Sequence, residues 1–448
     1  MALLNASLKT ELQKASPRVF PVLEIAFSDG TKRYAKVPYC STTNGYYQPK
    51  VISFGSFRRT VSDRTNNLES PQFTVAITDE DSDFRTRLGK GDRLFGTTAT
   101  IKLASPAIAA ANWFTLFSGI LYEWNRRRGE MAYDLTLRYD DLPLLSPFPR
   151  ITIDKYDWPN AAPDALGQYV PIAYGRHDGL LSGDNSTKDG AIPTYYVDTV
   201  NWRYVVCLGR AKEITRVYDD AVRVTTWATA YVTVNGRLYT VIDSTVDRGT
   251  SVVTCDILGY ETVGDGTGTL MDEPTDQIKH LLVNFVYNEP PRVTSGGSLL
   301  WRADSEAPVS TGDWSTTKTF LAKLLPVGYK GSIYLTGQNT GIDVLNNWCQ
   351  SHEVKAFWTN NGNIAIRPDD QTTTALYLDD PWLRWETDDI GDSFTPLYLS
   401  NNTTKRVTAQ YSYVPARNRF GQTLECSEPS VATEVTESLE MPYGPNYF

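Results

Sequence analysis

Phe73-Thr-Val-Ala-Ile77, Thr98-Ala-Thr-Ile-Lys-Leu103, Trp113-Phe-Thr-Leu-Phe-Ser-Gly-Ile-Leu121 and Tyr133-Asp-Leu-Thr-Leu-Arg138 follow one another in a single stretch that ends at Asp140-Asp-Leu-Pro-Leu-Leu145. Phe73, Val75 and Ile77 alternate with small or polar neighbours, as do Ala99, Ile101 and Leu103, and Tyr133, Leu135 and Leu137. A period of two places each set on one face of an extended chain, so these are strands with one buried side. Between them stand an acidic turn, Asp79-Glu-Asp-Ser-Asp83, a Leu94-Phe-Gly step, and the loop Asn125-Arg-Arg-Arg-Gly129. Upstream, Leu23, Ile25 and Phe27 repeat the pattern, and Asp29-Gly30 supplies a tight turn into Lys32-Arg-Tyr-Ala-Lys-Val37, because these two residues tolerate positive φ. Residues 19–145 therefore read as one β-domain, preceded by a short helical arm over 1–18.

Working outward, Pro147, Pro149, Pro159 and Pro163 punctuate residues 146–182, which read as an extended connector closing on Gly167-Gln-Tyr-Val-Pro-Ile-Ala-Tyr-Gly175. Residues 183–270 form a second β-rich domain. Its strands include Trp202–Cys207, Tyr231–Val234 and Leu238–Val241, and Asn235-Gly236 demands a type I′ turn between the last two. The period then changes. Ile278, Leu281, Leu282 and Phe285 have helical spacing with Thr275 as the expected N-cap. Thr317–Leu325, stopped by Pro326, reads as a second helix, and Ile342, Leu345 and Cys349 as a third, capped by Thr340 with Asp343 in its first turn. That third helix leads into Glu353–Trp358, the turn Asn360-Asn-Gly362 and Asn363–Arg367, a compact helix-and-hairpin piece within an α+β region over 271–420. Val407–Tyr413 is a return strand, and the acidic stretch over 421–448 reads as a solvated or partner-clasping arm. The fold class expected is mainly β with α+β insertions: two β-barrel or sandwich domains plus smaller mixed domains.

Composition agrees. Of 448 residues, 12% are aromatic, with 26 Tyr and 11 Trp against 4 Met, which suits strands. Length alone suggests about three domains. With 43 Lys and Arg against 52 Asp and Glu, the net charge is −9, which argues against gripping nucleic acid by phosphate neutralisation but does not exclude a wall past which DNA slides, since an acidic wall repels phosphates. Cys40, Cys207, Cys255, Cys349 and Cys426 contain no Cys-x-x-Cys pair, so buried thiols are expected rather than a disulfide framework or zinc site. Neither a secretory leader nor a run of ~18 apolar residues is present, so no membrane insertion is expected.

Few residues suggest chemistry. Asp79, Asp81 and Asp83 open a calcium-loop pattern, but the glycine and glutamate it needs are replaced by Phe84 and Lys90; they are the candidates for a cation, and a solvated turn is the expectation. Gly91–Thr98 nearly spells a phosphate-binding loop, with Thr97 in the lysine position and a strand following instead of a helix. His352-Glu353 begins a zinc-protease pattern whose second histidine position is Ala356. No Gly-x-Ser-x-Gly elbow presents a nucleophile. A pair of carboxylates could still serve glycoside hydrolysis, though none stands out. No metal, cofactor or catalytic residue is expected. Arg126, Arg127 and Arg128 at a hairpin tip read either as a solubilising loop or as a contact to an acidic neighbour subunit, since arginine forks suit carboxylates. Phe57-Arg58-Arg59 is a second small basic cluster.

The order of these segments resembles bacteriophage tail-tip and baseplate hub proteins. The first β-domain, the Gly167…Pro171-Ile-Ala-Tyr-Gly175 step, the second β-domain, the Ile278–Phe285 helix, and Ile342–Ser351 followed by Asn361-Gly-Asn-Ile-Ala-Ile-Arg-Pro368 carry the likeness, which spans most of residues 20–415. The resemblance implies tail-tube-like β-barrel domains in a ring, usually of three subunits, at the tip of a virion tail. It implies as partners other copies of the chain, a distal tail protein, the tape-measure protein and fibre or spike proteins, with DNA passing and not specifically bound. No spike or lysozyme module is fused. Two other functions fit the sequence: a distal-tail or receptor-binding protein contacting host glycans through exposed aromatics, and a virion-associated glycosidase.

Overall fold

The computed structural model describes residues 6–14, 18–55, 68, 70–89, 94–177, 192–249, 251–288, 293, 301–324, 330–352, 354–368, 406–414, 419–427 and 436–440. The chain is mainly β with helical insertions, and it divides into two compact units. Residues 1–145, 308–311 and 356–366 form the first; 146–307, 312–355 and 367–448 form the second.

In the first unit, helix α1 (Ala6–Leu12) precedes β1 (Phe20–Phe27), β2 (Gly30–Ala35), β3 (Tyr39–Ser41), β4 (Gly45–Tyr47), β5 (Val51–Phe54) and β6 (Gln72–Thr78). Helix α2 (Asp83–Gly89), β7 (Thr98–Ala104), β8 (Phe114–Arg126), β9 (Ala132–Arg138) and the short α3 (Leu142–Leu145) complete it. Seven strands form one antiparallel sheet in the order β2-β1-β7-β8-β9-β6-β5. The segments predicted from alternation are all in it, and their apolar sets are buried: Leu23, Ile25, Val75, Ile77, Ile101, Leu135 and Leu137. The ladder does not close into a barrel. Edge strand β2 instead forms an isolated parallel bridge, Tyr34 with Gln48, to the segment between β4 and β5, made by Ala35 N–H to Gln48 O (2.8 Å) and Gln48 N–H to Arg33 O (2.9 Å). Val22, Ala35, Tyr47, Ala104 and Trp113 make one core cluster beside it. The N-terminal helix is not a free arm, because Leu8 is fully buried.

The second unit contains β10 (Pro147–Phe148), β11 (Ile172–His177), β12 (Ile192–Pro193), β13 (Tyr195–Asp198), β14 (Arg203–Leu208), β15 (Ala211–Asp219) and β16 (Val222–Val224). β17 (Trp227–Val234), β18 (Arg237–Ser244) and β19 (Val253–Tyr260) follow. Strand order is β16-β15-β19-β11-β20 in one sheet, where β20 is Ser332–Leu335 and β12 also pairs with β19, and β13-β14-β18-β17 in another. The turn between β17 and β18 has the expected geometry, with φ of 48° at Asn235 and 77° at Gly236. The proline-rich segment is not an extended connector. Ile153 and Ile151 bond back to Gln168, Gly167 and Val170, and Phe148, Ile153, Trp158, Ala165 and Val170 are buried. Proline removed donors without preventing this short hairpin-like return.

Helix α4 (Pro274–Leu281) begins two residues earlier than expected. Its N-cap is Glu273, whose carboxylate accepts from Asp276 N–H at 2.7 Å, while Pro274 fits the first helical turn and Thr275 lies inside. A π-helical turn, Leu282–Val286, extends it. Helix α5 (Thr311–Leu324) starts earlier than its apolar spacing suggested. After β21 (Asn339–Thr340), α6 (Gly341–Ser351) is capped by Thr340 Oγ1 accepting from Asp343 N–H, as expected. β22 (Val354–Trp358) and β23 (Ile364–Pro368) form the expected hairpin. It is not one compact piece with α6, however. Residues 356–366 cluster with the first unit, where Trp358 stacks on Tyr139 (5.0 Å, 13°) and Ile364 bonds to Pro308 and Ser310. β24 (Arg406–Val414), β25 (Arg419–Ser427) and β26 (Thr436–Glu440) make a separate sheet, so the stretch read as an acidic arm is strand in two places.

Candidate functional site

The Pro171–Gly175 step becomes β11, and it is the strand on which the second unit converges. Ile172–Gly175 pair with Leu335–Ser332 of β20, and Arg176 and His177 with Leu258 and Ile257 of β19. Pro171 O accepts from Leu208 N–H (2.8 Å), which ties the strand to β14. Gly175 has φ of 75°, and a Cβ there would overlap Gly331 O and lie 2.8 Å from Gln277 Nε2. Gln277 reaches that point from α4, donating to Met271 O (2.9 Å) and Gly331 O (2.7 Å). A side chain at 175 would displace the helix, the strand end, or both.

Tyr174 fixes the same helix through its ring and hydroxyl. The hydroxyl bonds His280 Nδ1 at 2.7 Å, and the ring lies edge-on to Tyr260 (4.8 Å, 84°). Trp301 closes the cluster against His280 (4.4 Å, 81°) and Tyr260, with its Nε1–H donated to Glu261 O (3.2 Å). Edge-to-face rings of this kind add to plain area burial. Burial among rings pushes the His280 imidazole down to about 3. Burial likewise holds His177 and His352 at about 4. All three histidines are therefore neutral parts of the scaffold near neutral pH. His352, from the zinc-protease-like pair, sits at the end of α6, stacked on Trp348 (4.5 Å, 21°) and bonded through Nδ1 to Trp348 O (2.8 Å); Glu353 lies outside the described residues.

The acidic triplet is divided among separate partners. Asp79 is buried, and its carboxylate accepts from Phe84 N–H (2.9 Å) and Arg85 N–H (3.1 Å), capping α2. Asp81 pairs with Lys50 (2.6 Å), which holds its carboxyl below the usual range, and Asp83 pairs with Arg87 (3.3 Å). Among the described residues no group of three or more His, Cys, Asp or Glu is placed to hold a metal. Sequence reading missed α2, although the signal was present: an aspartate five residues before Phe84 can cap a helix as well as end a turn. Of the phosphate-loop look-alike, residues 94–98 run into β7 and the rest lies outside the described residues, as do Arg58 and Arg59.

The arginine triplet separates into two roles. Arg127 is half-buried, with its guanidinium against Asp134 (Nε to Oδ1 3.0 Å, Nη2 to Oδ1 2.9 Å), which raises its already high pKa further. Arg126 and Arg128, on either side, are exposed. Among the described residues the most exposed aromatics are Tyr156, Tyr46 and Phe95. No helix among the described residues is long and apolar enough to cross a membrane.

No protein-family model matches the chain, and no curated protein matches it. Among solved structures it is similar to a chain in the virion of a native gene transfer agent particle, at 16% identity and a TM-score of 0.28, over 56% of this chain and 84% of that one. A likeness at that level fixes neither the fold nor the role.

Proposed function

We propose that the chain is a structural hub of a phage-like virion tail tip or baseplate. It forms a ring that closes the tail tube, joins the distal tail ring and tape-measure protein to fibre or spike proteins, and borders the DNA exit channel. It acts without catalysis of its own, and it is assembled in the host cytoplasm. The observation that supports this reading is the order of parts along the chain. A β unit ending at residue 145, the Pro171–Gly175 strand, a two-sheet β region, α4, and α6 followed by the β22–β23 hairpin succeed one another as in the hub proteins the sequence resembles. The depressed histidines are accounted for by burial in the scaffold, and the acids of the Asp79–Asp83 stretch by a helix cap and ion pairs.

The test is the mass of the purified chain by light scattering, alone and with its neighbouring tail proteins. A trimer, or a monomer that becomes a threefold ring with those partners, is the expected result. A chain that stays monomeric with its partners present and binds cell-wall glycans would instead be a receptor-binding protein. One that degrades cell wall would be the glycosidase.

A further inference from the structure

The charge of this chain is segregated by unit. Residues 1–145 carry 19 Lys and Arg against 15 Asp and Glu, a balance of +4, and residues 308–311 and 356–366 add no charge. Since the whole chain is −9, the second unit carries −13. A chain with one basic and one acidic unit favours head-to-tail contact between copies over contact of like faces, because like charges meet in the latter.

The first unit has a built projection of the right sign. The β8–β9 hairpin tip is held from within: Arg127 is fixed on Asp134, Arg127 N–H bonds Ala132 O (3.0 Å), and Met131 O accepts from Asp79 N–H (2.7 Å). On that fixed frame Arg126 and Arg128 are exposed, and Met131 is 59% exposed, with Glu130 spent on Arg127 at 3.8 Å. The tip therefore exposes one apolar side chain and two guanidinium groups.

One end of the second unit has the opposite character. The turns after β15, β18 and before β19 are joined there: Asp220 N–H bonds Val252 O (3.1 Å), Val252 N–H bonds Asp220 Oδ1 (2.9 Å), and Arg248 is taken by Asp219 (2.5 Å). Val222, Val252 and Val246 are 65%, 65% and 45% exposed at these turns. Asp220 and Asp247 are exposed beside them; Arg223 is exposed there too, so the excess is acidic but not unopposed. Exposed valines with an acidic rim match an exposed methionine with a basic rim.

We propose that the Arg126–Met131 tip of one copy docks on the Val222/Val246/Val252 end of the second unit of another copy, with Arg126 and Arg128 meeting Asp220 and Asp247. The contact is heterologous, and a heterologous contact that closes makes a ring. The inference rests on the ring reading above and adds the polarity of the interface and its residues.

The experiment uses charge reversal in the full chain, with mass read by light scattering at about 50 mM and about 500 mM salt. R126E/R128E and D220K/D247K each reverse one side. Both sets of residues are exposed, and circular dichroism checks that each variant folds. Each variant alone is expected to self-associate at least about tenfold more weakly than the parent at low salt, and an equimolar mixture of the two to recover association. The parent should also weaken as salt rises. An oligomer indifferent to both reversals overturns the docking while leaving the ring reading standing. A parent chain that is monomeric by itself at every concentration overturns the docking, and the ring reading is then decided with the tail partners present. If R126E/R128E instead lowers affinity for a short DNA duplex with the mass unchanged, the tip reads phosphate and the docking is wrong.

Discussion

Substituting Gly175 by Ala should cost far more than the same change at Gly236, and the difference measures how tightly β11, β20 and α4 meet. The two glycines have nearly the same backbone conformation, with φ of 75° and 77°. The left-handed conformation therefore charges both alanines alike, by about 1–2 kcal/mol. At Gly236 nothing lies within 4 Å of a Cβ, so that is the whole effect. At Gly175 the Cβ would overlap Gly331 O and approach Ser332 Cα at 3.0 Å. Neither neighbour can yield cheaply. Gly331 N–H is bonded to Asp272 O (2.8 Å), Gly331 O receives Gln277 Nε2, and Ser332 is the ladder partner of Gly175 itself. Overpacking of this kind costs about 1–3 kcal/mol, and separating Gln277 from Gly331 O removes a buried hydrogen bond worth about 1 kcal/mol. Gly175→Ala is thus expected to destabilise by about 3–6 kcal/mol and Gly236→Ala by about 1–2 kcal/mol.

Both residues lie in the second unit, so urea unfolding followed by tryptophan fluorescence reports the same transition for both. The gap of about 2–4 kcal/mol corresponds to roughly a 30- to 900-fold difference in the unfolded-to-folded ratio. Equal midpoints for the two variants, or a larger shift for Gly236→Ala, would refute the claim that the Pro171–Gly175 step is a packing device.

Stability should fall as pH drops below about 6.5. The three histidines have folded values depressed to about 4, 3 and 4, so the unfolded chain takes up their protons first, and the loss runs from the ordinary value down to the folded ones. Each contributes a loss of about 2 kcal/mol by pH 5, partly offset by Glu273, whose carboxyl burial raises; a flat urea midpoint between pH 7 and pH 5 would contradict this. Asp79→Ala should cost about 1 kcal/mol through the lost cap of α2, and calcium should leave the parent's melting temperature unchanged; a calcium-induced rise abolished by that substitution would make the loop a cation site instead. Trp358→Ala should cost about 3–5 kcal/mol and loosen the β22–β23 hairpin, read as faster amide exchange across Ala356–Ile366; unaltered exchange would mean the Tyr139 stack does not anchor it.

The parts of this fold that were legible in sequence are those set by local chemistry. Alternation placed Phe73–Ile77 and Tyr133–Arg138 in the sheet, Asn235-Gly236 fixed a turn by the positive φ both residues accept, and Thr340 announced α6 by its hydroxyl. What was not legible depends on a partner distant in the chain. The Asp79 carboxylate caps a helix or borders a loop according to whether Phe84 is buried. The hairpin over 356–366 looks the same in sequence whether it packs on α6 or on Tyr139. The proline-rich segment reads as open chain unless Ile151 and Ile153 are known to find Gln168 and Val170. The arginine triplet could not be divided until Asp134 was seen to take Arg127.

The same distinction bears on function. Among the segments that carry the likeness to tail hubs, Pro171 to Gly175 and the α4 face that meets them are buried and explained by packing. A motif fixed by packing is informative about the scaffold and silent about what the surface touches. Exposed side chains such as Arg126, Arg128 and Val222 are the ones that packing inside the subunit does not explain, whereas their neighbours Arg127 and Asp220 are held by Asp134 and by Val252 N–H. Charge reversal at Arg126 and Arg128 therefore tests assembly with little effect on the fold, whereas reversal at Asp220 and Asp247 also removes their bonds to Val252 N–H, Tyr196 and Gly249 N–H.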